Sequence, residues 1–116
     1  MGLTISHNAF AASYGTFRDY RIYLAKLTDI NLKTMMGFGA KQAEAISWDT
    51  VDDDLKILLD HSDCDGEISV KDCILLKRRL VQLLLVMHDH FWFEITCEFL
   101  SGLNQAISKN EKLIFD

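Results

Sequence analysis

Side chains able to do chemistry gather in two places along this sequence. The first is His61-Ser62-Asp63-Cys64-Asp65-Gly66-Glu67-Ile68-Ser69-Val70-Lys71-Asp72. A hard cation needs several oxygen ligands converging on a tight turn, and a twelve-residue calcium loop supplies them at fixed positions around a glycine. With Gly66 at the sharp-turn position, Asp63 and Asp65 take the third and fifth places, Ser69 the ninth and Asp72 the last. The predicted flanking helices complete an EF-hand-like arrangement for Ca or Mg. Two positions disagree. His61 stands where the first carboxylate belongs, and Asp72 is one methylene shorter than the glutamate that closes such a loop. A second reading needs no ion and is the stronger one. Asp63 and Asp65 fold their carboxylates onto nearby amides, Gly66 takes a positive φ, and Ser69 caps the next helix with Asp72 as its partner.

The second place is amino-terminal. Ser6-His7-Asn8 and Ser13-Tyr14-Gly15-Thr16-Phe17-Arg18 set polar and aromatic groups beside a predicted helix start. Free amides there attract anions, and an arginine one turn in can fork onto a phosphate or carboxylate. The alternative makes Tyr14 and Phe17 core, Arg18 the surface partner of an acid, and His7 a turn residue.

Other metal and catalytic signatures are weak. Cys64, Cys73 and Cys97 contain no closely spaced pair, so zinc is not expected. Cys73 and Cys97 are placed on apolar helix faces, and His88-Asp89-His90 reads as a solvated helix start. No nucleophile elbow, phosphate-binding loop or zinc-protease helix is present, and an enzyme is not expected.

Helices must position these groups. Phe10, Tyr14, Phe17, Leu24 and Leu27 recur at mostly helical spacing behind a Ser13 cap, with Arg18, Arg21 and Lys26 elsewhere on the wheel. Gly37 and Gly39 mark a connection, followed by a short helix near Ala40 to Ile46. Asp49 or Thr50 caps a helix bearing Val51, Leu55, Leu58 and Leu59. Longer helices are predicted at Val70 to Val86 and His90 to Ser108. Leu3-Thr4-Ile5 and Lys112 to Phe115 read as short strands that satisfy each other's backbone groups. The expected fold is one domain over residues 1–116, mainly α with some β. Four to five helices are closed by a small two-stranded sheet pairing the terminal strands.

Composition narrows the function classes. The chain of 116 residues has no proline and a net charge of −5. Nine acids against Lys56 and Lys71 fall within residues 49–72, so the rest of the chain is slightly basic. Generic nucleic-acid binding needs a basic stripe and is not expected. The acidic segment, Asp52 to Asp54 especially, can dock a basic partner or simply face water. The longest apolar run, Leu83 to Met87, is far short of the roughly 20 residues of a bilayer span. No signal peptide is read, and an odd cysteine count argues for reduced thiols in a cytoplasm. The opening Met1-Gly2-Leu3-Thr4-Ile5-Ser6 also fits a loose myristoylation pattern, read here as a strand start.

Three blocks carry a resemblance. Met1-Gly2-Leu3-Thr4-Ile5-Ser6-His7-Asn8-Ala9-Phe10 and His61-Ser62-Asp63-Cys64-Asp65-Gly66-Glu67-Ile68, with the tail Phe99 to Phe115, resemble a family of small bacterial, phage and prophage proteins. They span about half the chain. The sequence departs from that pattern at Asn31 to Trp48 and at Leu83 to Phe93, where a longer glycine-containing insert is expected. The resemblance implies a phage-type setting, the host cytoplasm, and brings no activity with it. In that setting His7, Asn8, Tyr14, Arg18, His61, Ser62 and Asp63 are expected to share one site. The expected function is a non-enzymatic binding protein, in the manner of counter-defence proteins, for a small anionic, nucleotide-like ligand or a host protein. A homo-oligomer is left open, and the alternative is the EF-hand-like cation-binding module.

Overall fold

A hairpin opens the chain. In the computed structural model, which describes residues 2–38 and 44–116, β1 (Gly2–Ile5) pairs antiparallel with β2 (Phe10–Ser13). The turn between them places His7 at φ 62° and Asn8 at φ 57°, closed by the Ala9 N–H donating to the Ser6 carbonyl at 3.2 Å. Positive φ at both central residues matches the right-handed twist of the strands, and asparagine tolerates it well. Ser13 ends β2 and caps α1 (Tyr14–Leu27), its hydroxyl accepting from the Thr16 amide.

The terminal strands meet as expected, and each also has a second partner. Thr4 and Asp116 exchange backbone bonds of 3.0 and 2.8 Å around an Ile5–Phe115 bridge. β4 (Leu113–Ile114) pairs on its other side with β3 (Glu67–Ile68). In space the strands therefore follow the order β2, β1, β4, β3.

The helices cover this small sheet. α3 (Val70–Leu84) and α4 (His90–Ser108) are capped by Ser69 and Asp89. The buried stripe of α3 is Cys73, Leu76, Leu80 and Leu83, and it joins Phe17, Tyr20 and Leu24 of α1 and Phe99 and Leu103 of α4 in one core. Tyr20 stacks on Trp92 with centroids 5.5 Å apart, and its hydroxyl meets Thr96 at 2.7 Å. Asp29 and Asn110 stop α1 and α4 in the left-handed conformation. The amides that follow them reach back to the Ala25 and Ala106 carbonyls at 2.9 and 2.8 Å. That closure does for these helices what a glycine does elsewhere.

Before α3, and at one cysteine of α4, the structure departs from what the sequence predicts. The helix expected from Asp49 is a 3-10 turn at Trp48–Thr50, capped by Ser47, followed by a short α2 (Lys56–Leu59). Asp53 fastens that start, accepting from the Leu55 amide at 2.9 Å. It also holds Arg79 through two bonds of 2.9 and 3.0 Å, so of the acids at 52–54 Asp53 is already engaged within the fold. The helix expected at Ala40 to Ile46 lies mostly outside the described residues, as does Gly39, and Ile46 itself pairs with Met35 in a parallel bridge. Cys97 is exposed, while Cys73 is buried as expected. Among the described residues no helix is long and apolar enough to cross a membrane.

Candidate functional site

The amino-terminal cluster resolves into a stitch between the ends of the chain. The Ile114 amide donates to Ser6 Oγ at 2.9 Å, and Ser6 Oγ lies 2.8 Å from His7 Nδ1. His7 Nε2 lies 3.0 Å from Glu111 Oε1. One proton arrangement satisfies all three: the serine hydroxyl donates to Nδ1, and Nε2–H donates to the carboxylate. The bond to His7 holds the Glu111 carboxyl below its ordinary range. Asn8 is exposed in the turn. Tyr14 is half-buried at the start of α1. Arg18, also exposed, pairs with its neighbour Asp19 at 3.3 Å.

The acidic turn is built around a histidine ring. His61 packs on Phe115 with centroids 3.9 Å apart, and its two nitrogens face the carbonyls of Ser62 and Glu67 at 2.8 and 3.1 Å. Gly66 sits over that ring at φ +99°, where a Cβ would come within 3.2 Å of His61 Cε1. Both the φ and the ring thus demand glycine. Ser62 Oγ, not Asp63 or Asp65, accepts the turn's amides, from Cys64 at 3.3 Å and Asp65 at 3.4 Å. The side chains of Asp63 and Asp65 are exposed. Ser69 accepts from the Asp72 amide at 3.2 Å, as a cap should. Among the described residues no three His, Cys, Asp or Glu side chains gather as a metal site.

Arg21 is the residue that the sequence reading misplaced. It is only 6% exposed, and Nη1 donates to the carbonyls of Leu59 at 3.1 Å and His61 at 2.7 Å. Its guanidinium lies 4.6 Å from the Phe17 ring centroid and 4.9 Å from that of Phe38. Nε is buried with no partner among the described residues. Burial lowers the guanidinium pKa, and the charge of Asp63 opposes the shift. The available signal was spacing: Phe17, Arg21 and Leu24 stand at i, i+4 and i+7, on the apolar stripe itself.

Around Arg21 a cavity of about 300 Å³ opens, walled also by Phe38, Asp60, His61, Ser62 and Asp63. Partial desolvation, then the charge of Asp49, raises the Asp60 carboxyl above its ordinary range. Phe38 also walls a second cavity of about 210 Å³, with Arg18, Ile22, Leu32 and Lys33. The structure therefore divides the expected site residues. His61, Ser62 and Asp63 meet in the first cavity, and Arg18 stands across Phe38 in the second. His7, Asn8 and Tyr14 line neither, and His7 and His61 have no side-chain partner in common. Compared with protein-family models, curated proteins and solved structures, the chain gives no significant match.

Proposed function

We propose that the protein is a non-enzymatic binding protein whose ligand is a small nucleotide-like anion seated across Phe38. The observation that carries this reading is the pairing of two cavities on one aromatic wall. On one side stand Arg18 and Lys33, two cations facing an otherwise apolar lining. On the other stand the carboxylates of Asp60 and Asp63 beside a buried arginine with an unused Nε. A phosphate suits the first side, where a guanidinium and an ammonium can hold its oxygens. A base suits the second: its amino groups donate to Asp60 or Asp63, its ring nitrogens accept from Arg21, and its face lies along Phe38. Pockets of this kind orient a ligand with few polar groups set in an apolar frame.

Binding rather than turnover fits the way His61 is used. Its ring nitrogens face two backbone carbonyls, so the imidazole is a wall and not a base aimed at a nucleophile. In the phage-type setting that the resemblance implies, the chain acts in the host cytoplasm by sequestering a nucleotide. A thermal-shift series with linear and cyclic adenine and guanine nucleotides tests the reading. At least one nucleotide should raise the melting temperature in a concentration-dependent way, with the rise abolished in Phe38→Ala and reduced in Arg18→Ala. A flat response to every nucleotide would overturn it.

A further inference from the structure

The outward side of the α3–α4 hairpin is apolar where a folded chain is normally polar. Ile74 is 48% exposed, Val81 46%, and Leu85, just past the end of α3, 86%. With Lys71 and Arg78 they form one stripe at steps of three and four residues, the spacing of a helix-pairing seam. The stripe lies opposite Cys73, Leu76, Leu80 and Leu83, which already fill the core. At the tip of the hairpin Val86, 49% exposed, and Phe91, 55% exposed, extend it towards α4. An exposed patch of this extent on a small chain marks an interaction surface.

Charge indicates what covers it. The outer side of α3 carries Lys71 and Arg78 among the apolar residues, while that of α4 carries Glu94 and Glu98. Each copy thus presents a basic helix and an acidic helix side by side. We propose that a second copy of this chain docks here, related by a two-fold axis, with α3 of each copy on α4 of the other. A two-fold contact repeats every pairing, so basic meets acidic twice and each apolar stripe is covered by the partner's α4. A partner of one charge would satisfy only one of the two helices, and nucleic acid would be repelled by Glu94 and Glu98.

The area is consistent with a weak dimer. A helix of 15 residues such as α3 is about 22 Å long at 1.5 Å per residue. Two helices about 10 Å apart then offer a face of roughly 450 Å² per copy. The total of about 900 Å² is near the lower limit for a specific interface, the size of a weak, transient contact. The surface uses no residue of the two cavities, so this inference stands apart from the ligand reading.

Sedimentation velocity over a concentration series from about 1 to 500 μM covers the affinities of weak dimers. A concentration-dependent monomer–dimer equilibrium is expected, shifted at least tenfold towards monomer by Leu85→Glu. That side chain is almost fully exposed, so thermal unfolding of the variant should match the parent and serve as the folding control. Arg78→Glu should weaken the dimer, and Glu94→Arg in the same chain should restore part of it. A monomer at every concentration, or a dimer indifferent to Leu85→Glu, would overturn the proposal.

Discussion

Gly102 lies on the buried face of α4 against the turn of the opening hairpin, and alanine there provides a sharp test of that packing. A Cβ at this position would run into Ala9 Cβ, and would lie 2.5 Å from Ala9 Cα and 2.9 Å from Ala9 N. Carbon atoms at rest stand about 3.5–4.0 Å apart, so the helix would have to retreat by roughly 1 Å. Overpacking of a close-packed interior costs about 1–3 kcal/mol. Three simultaneous clashes, two with backbone, put this case at the top of that range or just above it, about 3–4 kcal/mol. Alanine recovers about 1 kcal/mol of helix propensity over glycine, leaving a net loss of about 2–3 kcal/mol. At about 4 °C per kcal/mol for a chain of this size, the melting temperature should fall by about 10 °C. Urea unfolding of Gly102→Ala measures the loss directly. Adding Ala9→Gly removes only the Cβ clash, so most of the loss should persist. Ala9 N is also the donor that closes the turn around His7, so retreat of the helix should loosen that turn as well. A Gly102→Ala variant within about 0.5 kcal/mol of the parent would refute the argument.

Other perturbations have equally definite outcomes. Tyr20→Phe removes a buried hydroxyl bond to Thr96, which keeps its own bond to the Trp92 carbonyl at 2.8 Å; urea unfolding should show a loss of about 1 kcal/mol. Burial also pushes the Tyr20 phenol far above its ordinary value of 10. Stability from this group is whole below about pH 10 and is lost as pH rises further, a slope that Tyr20→Phe should flatten in alkaline melting curves. Asp53→Ala removes both the Arg79 fork and the α2 start, and chemical denaturation should report a loss of about 2 kcal/mol. The Glu111 carboxyl is held below its ordinary 4.5 by His7. Its contribution is therefore present above pH 4.5 and lost as pH falls below it, and Glu111→Gln should remove that part of the acid dependence of the melting temperature.

Much of the fold was legible because it rests on local rules. The Ser13 and Ser69 caps, the helix of 90–108 and the strand character of both ends follow from side-chain chemistry within a few residues. The pairing of the two chain ends was legible for a different reason: two short strands at the termini each had an unpaired edge. The opening hairpin was harder to see. His7 and Asn8 look like polar ligands in sequence, and the structure uses them as the two left-handed residues of a turn. Asp53 was hidden by its neighbours, since any of the four acids Asp49, Asp52, Asp53 and Asp54 could cap a helix, and only Arg79, far along the chain, selects one. Arg21 was the costliest misplacement. Its charge argued for the surface, whereas its spacing from Phe17 and Leu24 argued for the interior. Two carbonyls and two aromatic rings decided for the interior. His61 shows the same limit. A carboxylate was wanted at its position for an ion, and the ring is there because Phe115 and Gly66 close around it.

The proposed seat of a nucleotide-like anion across Phe38 is tested most directly by mapping backbone amide chemical shifts by NMR during titration with the nucleotide panel. Saturable shifts are expected at Arg18, Arg21, Phe38 and His61 to Asp63, with the His7 turn and the Leu85 tip unmoved, and so is their loss in Phe38→Ala. Silence with every nucleotide, or shifts centred on the His7 turn, would contradict it.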